Sequence, residues 1–258
     1  NPSQILAIIG MICLLLSVPV FAEETGDVTA FIAASLTGAS DEIKPVFEAA
    51  NPGTTLTINL DGTQALKTQV ENGALPDVFI SASAKYTKEL TNGGYFVNDT
   101  VADLCTNWIT IVTPKDNPAE ITTIADLSKP GILIAMGTEE VPVGINTRKV
   151  IDKIANDSAY GSEWKDAVFA NTVTYETTEP GVVEKVKLGE VDAGFIYESS
   201  YKASEEDLNK ITIPEDFNEL QYYSIATLNL APNSAGAEAF ENFMLGEEGQ
   251  KILANFGF

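Results

Sequence analysis

The 258-residue sequence contains no histidine. That absence excludes Ser-His-Asp and Cys-His nucleophilic catalysis and any catalytic zinc site built on imidazole. Cysteine is almost as scarce, with only Cys13 and Cys105. Cys13 falls inside an apolar leader, so the processed chain keeps one thiol and forms no internal disulfide despite an oxidising destination. It also lacks the small-residue context of a lipoprotein cleavage site, and no lipid anchor is expected there. Cys105 is expected in a packed core. Neither G-x-G-x-x-G nor G-x-x-x-x-G-K-[ST] occurs, which argues against nucleotide binding, and no cofactor is expected. Basic residues are few, 15 against 37 acidic ones, for a net charge of −22. Nucleic acids and anionic membranes need clustered Lys and Arg, so neither is an expected partner. Acidic pairs such as Glu139-Glu140, Glu205-Glu206 and Glu247-Glu248 read as solvated faces in a chain this acidic. The acidity also fits a salty habitat, where surface carboxylates support solubility.

The first 22 residues carry no charge and run apolar from Ile5 to Val20. They read as an export signal (1–22), ending in Val20-Phe21-Ala22 with cleavage expected before Glu23. The run is a little short for a transmembrane anchor and has Pro19 near its end. No basic n-region precedes it, and the sequence is read as trimmed at its start. The remaining 236 residues, 258 less 22, suit one large α/β domain or two ordinary lobes. A hydrophobic content of 45% supports a genuine core.

Strands and helices alternate along the chain, with no fixed-period repeat and no low-complexity segment. Val28 to Ala33 reads as a strand, followed by a helix with Leu36, Ala39, Ile43, Phe47 and Ala50 on one face. Ser35 is the expected N-cap of that helix, and Pro45 predicts a kink or an early end. Further strands are expected at Thr55–Leu60, Val78–Ser81, Trp108–Thr113, Ile132–Met136, Thr172–Tyr175, Ala193–Tyr197 and Tyr222–Leu230. Helices are expected around Leu66–Val70, Lys85–Leu90, Val150–Ile154 and Pro180–Leu188, with two more between Ala235 and Phe256. This alternation implies parallel sheets, and passage out of one lobe and back implies a cleft between two of them. The expected division is lobe 1 over 23–107, lobe 2 over 108–221, and a return to lobe 1 over 222–258.

Three times a strand ends in a short loop that opens a helix: Ala34-Ser35-Leu36-Thr37, Asp61-Gly62-Thr63 and Val141-Pro142-Val143-Gly144. In an open parallel sheet such loops lie at the carboxyl edge, where ligands bind. Helix starts offer unpaired N–H groups and partial positive charge, so a dianion meeting several of them needs no cationic side chain. In so acidic a chain, neutral and well-aimed donors are the only ready means of holding an anion. Each loop taken alone also fits an ordinary helix cap. Tyr197, after a buried strand, fits equally a phenol pointing into the cleft or a cover for the core edge.

Phe31-Ile32-Ala33-Ala34-Ser35-Leu36-Thr37 followed by Pro76-Asp77-Val78-Phe79-Ile80-Ser81-Ala82 resembles the periplasmic molybdate-binding proteins of ABC importers. Glu140-Val141-Pro142-Val143-Gly144, Gly194-Phe195-Ile196-Tyr197 and the closing Asn255-Phe256-Gly257-Phe258 follow in the family's order, so the resemblance covers Val28 to Phe258. It implies an α/β, two-lobed class II periplasmic-binding-protein-like fold: two parallel or mixed sheets flanked by helices, with a ligand cleft between the lobes. It further implies a monomeric, non-enzymatic receptor that closes on molybdate or tungstate outside the cytoplasm and delivers it to a permease. The family's oxyanion donors map to the hydroxyls of Ser35, Thr63 and Tyr197 and to the backbone amides of Val143 and Glu179. Thr63 stands where serine is usual, and Val143 and Glu179 depart from the family's usual side chains, which a backbone donor tolerates. A related branch adds carboxylate ligands to the metal, but its aspartate position is Val141 here. The resemblance is therefore read with Glu179 turned away and only its N–H used. Three alternatives stand beside this reading: a receptor for sulfate or another tetrahedral oxyanion, an exported hydrolase using Ser35 with Lys67 or Lys85 as base, and a purely structural surface protein that binds no oxyanion.

Overall fold

A computed structural model of the protein describes residues 26–97 and 99–258. The leader and its expected cleavage point lie outside the described residues. The chain first lays down β1 (Val28–Ala33), a 3-10 turn (Ala34–Leu36), α1 (Thr37–Ala50), β2 (Leu56–Asp61), α2 (Thr63–Glu71), β3 (Val78–Ser81), α3 (Ala84–Asn92) and β4 (Ala102–Asn107). Trp108 alone separates β4 from β5 (Ile109–Pro114), and with that step the chain enters a second sheet. There follow β6 (Ile134–Gly137), α4 (Pro142–Ala155), α5 (Gly161–Asn171), β7 (Thr172–Glu176), α6 (Glu179–Lys187), β8 (Ala193–Tyr197), α7 (Glu198–Lys202) and β9 (Leu208–Ile211). The chain then returns to the first sheet as β10 (Gln221–Thr227) and ends with α8 (Ser234–Leu245) and α9 (Glu247–Asn255).

The first sheet has strand order β2-β1-β3-β10-β4 and the second β7-β6-β8-β5-β9. β1 pairs in parallel with β2 and β3, and β6 with β7 and β8. β10 runs antiparallel to β3 and β4, and β5 antiparallel to β8 and β9. The expected parallel sheets are thus mixed. Each crossing strand enters from the side facing the other lobe, where the parallel strands end, and so must run back against them.

Side chains of successive residues leave a strand on opposite faces, and each sheet accordingly carries one core per face. In β1, Ile32 joins Phe47, Ile80, Ile225 and Phe240, whereas Phe31 joins Leu66, Phe79 and Leu228 on the other side. In β8, Phe195 packs with Ile134, Val150 and Trp164, and Ile196 with Val112, Val182 and Leu208. Cys105 is half-buried at the margin of the first of these cores, and burial pushes its thiol well above the ordinary range.

Several elements depart from expectation. α1 continues through Pro45 to Ala50 without stopping. Pro45 and Asp41, whose carbonyl loses its partner, are both exposed, so water can satisfy the freed acceptor. The strands β4 and β9, unexpected from the sequence, are edge strands. Their Ala-Asp-Leu-Cys-Thr-Asn and Leu-Asn-Lys-Ile carry too few β-branched or aromatic residues to announce a strand. The unexpected α5 buries only Trp164 and Val168, a stripe too thin to register as helical periodicity.

Candidate functional site

The parallel strands of both sheets end at the same gap between the lobes. Ser35, Thr63, Val143, Glu179 and Tyr197 all line one cavity there, of about 20 Å³, with Ala33, Ala34, Gly62, Ala82, Val141 and Pro142 completing its wall. No Lys or Arg is among them. Lys67 is bound to Glu71 at 2.8 Å and Glu89 at 3.2 Å, and Lys85 lies over the Tyr86 ring. Neither lysine named for the hydrolase reading lines the cavity beside Ser35.

Ser35 does not cap α1. It lies in the 3-10 turn, α1 starts two residues later, and its cap residue Leu36 has no side-chain donor or acceptor. Thr37 fastens the turn by donating its hydroxyl to Ala34 O at 2.6 Å. The Ser35 hydroxyl is thereby free to meet the Tyr223 hydroxyl at 2.9 Å. Thr63 is the first residue of α2 and is 1% exposed. Its Oγ1 accepts from the Ala82 N–H at 3.1 Å, which leaves its own proton available to a guest.

In the second lobe two helices carry a proline in their first turn, and the effect is to single out a few donors. Pro142 opens α4 without an N–H, so the first free donors of that helix are those of Val143 and Gly144. A Cβ on Gly144 would stand 2.0 Å from Thr138 O and 2.5 Å from Gly137 O, so only glycine lets the helix start lie this close to the loop behind it. Arg148 donates to Gly137 O and Gly144 O at 3.0 and 2.9 Å, holding loop and helix together. Thr178 caps α6 by accepting from Gly181 N at 3.3 Å, and Pro180 has no N–H. The Glu179 N–H is the donor that this first turn leaves over.

The Glu179 side chain is 4% exposed, and its Oε1 accepts from the Tyr197 N–H at 3.2 Å. Its Oε2 is buried without a hydrogen-bond partner. Burial raises this carboxyl, and the nearby Ser200 hydroxyl and the Tyr197 N–H draw it part of the way back, to about 7. Tyr197 ends β8 at 1% exposure, packed in the core of its lobe and lining the cavity, and its buried hydroxyl makes no hydrogen bond of full geometry, with the Asn146 side chain as its nearby polar neighbour. Burial holds the phenol protonated far beyond neutral pH, as a donor. A buried hydroxyl left unpaired is unfavourable until something accepts from it.

Sequence reasoning missed Tyr223, on β10. It is fully buried, with its ring edge-on to Tyr197 at 6.1 Å and Phe258 at 5.4 Å. Its tie to Ser35 spans 188 residues, a distance over which no local pattern speaks. Also unforeseen are the bonds that hold the lobes together around the cavity: Tyr86 donates to Glu140 O at 2.6 Å, Gln64 to Thr177 O at 2.9 Å, and Asn107 to the Ser199 hydroxyl at 2.7 Å.

Among the described residues there is no group of three or more acidic or cysteine side chains placed to hold a metal ion. The cavity instead gathers neutral N–H and O–H donors on rigid element ends, which suits holding an anion by its oxygens.

Comparison with known proteins agrees with this architecture. The molybdate-binding protein ModA of Mycobacterium tuberculosis is 29% identical over 231 residues, 90% of this chain and 84% of that protein. The molybdate-binding protein ModA of Escherichia coli is 27% identical over 241 residues, 91% of this chain and 90% of its own. A substrate-binding domain of a putative molybdenum ABC transporter from Clostridium difficile superposes with a TM-score of 0.68 at 28% identity, covering 90% of this chain and 97% of that one. The periplasmic molybdate-binding protein of Azotobacter vinelandii, at 18% identity and a TM-score of 0.78 over 89% of this chain and 97% of its own, shares the two-lobed fold. Residues 28–258 match the family model of bacterial extracellular solute-binding proteins, and the chain belongs to that family.

Proposed function

We propose that this solute-binding protein captures molybdate, and tungstate as well, outside the cytoplasm and delivers it as a monomer to the permease of an ABC importer. The observation that carries this reading is the cavity wall. Ser35, Thr63, Val143, Glu179 and Tyr197 line one space of about 20 Å³ with no Lys or Arg among the lining residues, and this supports a cage made of their hydroxyls and amides. The names borne by the mycobacterial and enterobacterial relatives support the choice of ligand. The anion docks on Ser35 and Thr63 of the first lobe, and the second lobe brings Val143, Glu179 and Tyr197 over it. Phosphate near neutral pH keeps a proton that needs an acceptor, so a cage of donors disfavours it. The larger metal oxyanions are then separated from sulfate by cavity size.

Calorimetric titration of the processed chain with molybdate, tungstate, sulfate and phosphate tests the reading. Tight binding of the first two is expected, with a stabilisation of ~2.7 kcal/mol at one hundred times the dissociation constant. Tight binding of sulfate alone would refute the choice of ligand, and turnover of an ester lost in Ser35→Ala would restore the hydrolase.

A further inference from the structure

We propose that Glu179 binds the oxyanion as a neutral carboxylic acid, so that capture of the dianion carries one proton from solvent into the site. The inference rests on the oxyanion reading above. Apart from the phenol of Tyr197, Glu179 is the one titratable side chain in the cavity wall. One of its oxygens is occupied by the Tyr197 N–H; the other is buried without a hydrogen bond of full geometry, with the Ser200 hydroxyl as its nearby polar neighbour.

No cation offsets a charge at this carboxyl. On its own helix, Lys185 is held by Glu190 and Lys187 by Asp207, and Glu184 adds a like charge. β8 and β10 contribute Tyr197 and Tyr223, both kept neutral by burial. β7 contributes Tyr175, under Arg148, and Glu176, which accepts from Thr174. α7 contributes Glu198, paired with Lys210, and Lys202, which donates to Ala254 O. The 3-10 turn, β5 and β6 contribute no titratable group.

A dianion arriving in the same small cavity meets either a carboxylate or a carboxyl. Two negative groups at this range, with no cation between them, disfavour each other strongly. In the free protein, burial net of the Ser200 and Tyr197 hydrogen bonds already brings the carboxyl to about 7, and the ligand pushes it further the same way. The proton is taken from solvent onto Oε2, and no covalent bond forms or breaks. Oε2 then becomes a donor like the others around it. A carboxylate left in place would instead offer an acceptor, the group that a protonated phosphate needs.

Titration of the full processed chain with molybdate, between pH 6 and 8.5 and in buffers of different ionisation enthalpy, tests this. Over that range the anion itself stays doubly charged. Proton uptake should approach one per anion at the alkaline end, and affinity should fall about tenfold per pH unit once the free carboxyl is ionised. In E179Q, which carries a neutral amide in place of the acid, uptake and pH slope should both vanish. Affinity that is flat with pH, or binding without uptake, overturns the proposal, and wild-type uptake decides the matter if E179Q fails to fold. Affinity that rises with pH overturns it in favour of a carboxylate bonded to the metal centre. Absence of binding by molybdate, tungstate and sulfate at every pH removes the oxyanion reading and the proton step together, whereas binding without uptake removes the proton step alone.

Discussion

The hydroxyl oxygens of Ser35 and Tyr223 stand 2.9 Å apart, one at the end of the first strand and the other on the strand that returns to the sheet. Tyr223 is fully buried, and burial holds its phenol protonated. When it donates to Ser35 Oγ, the Ser35 proton is free to point at a guest. Tyr223→Phe removes that orientation without opening a void. The expected outcome is an unchanged circular dichroism spectrum and oxyanion binding weakened about fivefold, from the ~1 kcal/mol of one neutral hydrogen bond. Calorimetry provides the measurement.

Thr63 serves the fold and the cavity with one hydroxyl. Thr63→Val keeps the shape but strands the Ala82 N–H, now paired at 3.1 Å, in a buried place. Urea unfolding should show a loss of ~1–3 kcal/mol, together with weaker binding. Thr63→Ser, which keeps the oxygen, should retain most of both.

Gly144 is required by crowding rather than by backbone angles. Gly144→Ala would set a Cβ 2.0 Å from Thr138 O, so the start of α4 must move and the Val143 N–H with it. A stability loss of about 1–3 kcal/mol is expected, with a drop in affinity beyond that of any single hydroxyl variant. Thermal melts with and without molybdate separate the two effects.

Glu179 links the stability of the ligand-free protein to pH. Its native carboxyl titrates near 7, against an ordinary value of 4.5, so between these values the native state holds a proton that the unfolded state has released. The contribution is therefore fully present below pH 4.5 and is lost as pH rises through 7. E179Q should gain on the wild type by up to ~3 kcal/mol between pH 4.5 and pH 8, from the difference in carboxyl pKa. Comparing the two chains at each pH cancels the general repulsion of an acidic surface. Urea midpoints that keep the same gap at pH 5 and pH 8 would contradict this.

The strand-loop-helix pattern around Ser35, Thr63 and Val143 was legible because hydrophobic period, caps and prolines are local features. The exclusion of histidine chemistry followed from composition alone. Other features depended on tertiary placement. Pro45 sits inside an unbroken helix because its face meets water, and β4 and β9 are strands because a neighbouring strand pairs with them. β10 and β5 run antiparallel because of the side from which each enters its sheet.

At the cavity the division is the same. Local patterns place the lining groups at strand ends and helix starts. The tie of Tyr223 to Ser35, the burial of the Tyr197 hydroxyl and the bond from the Tyr197 N–H to Glu179 arise from tertiary packing. Periodicity along a chain records what each element buries. The partner a buried polar atom meets depends on residues brought beside it from far away, across a cleft closed by two lobes.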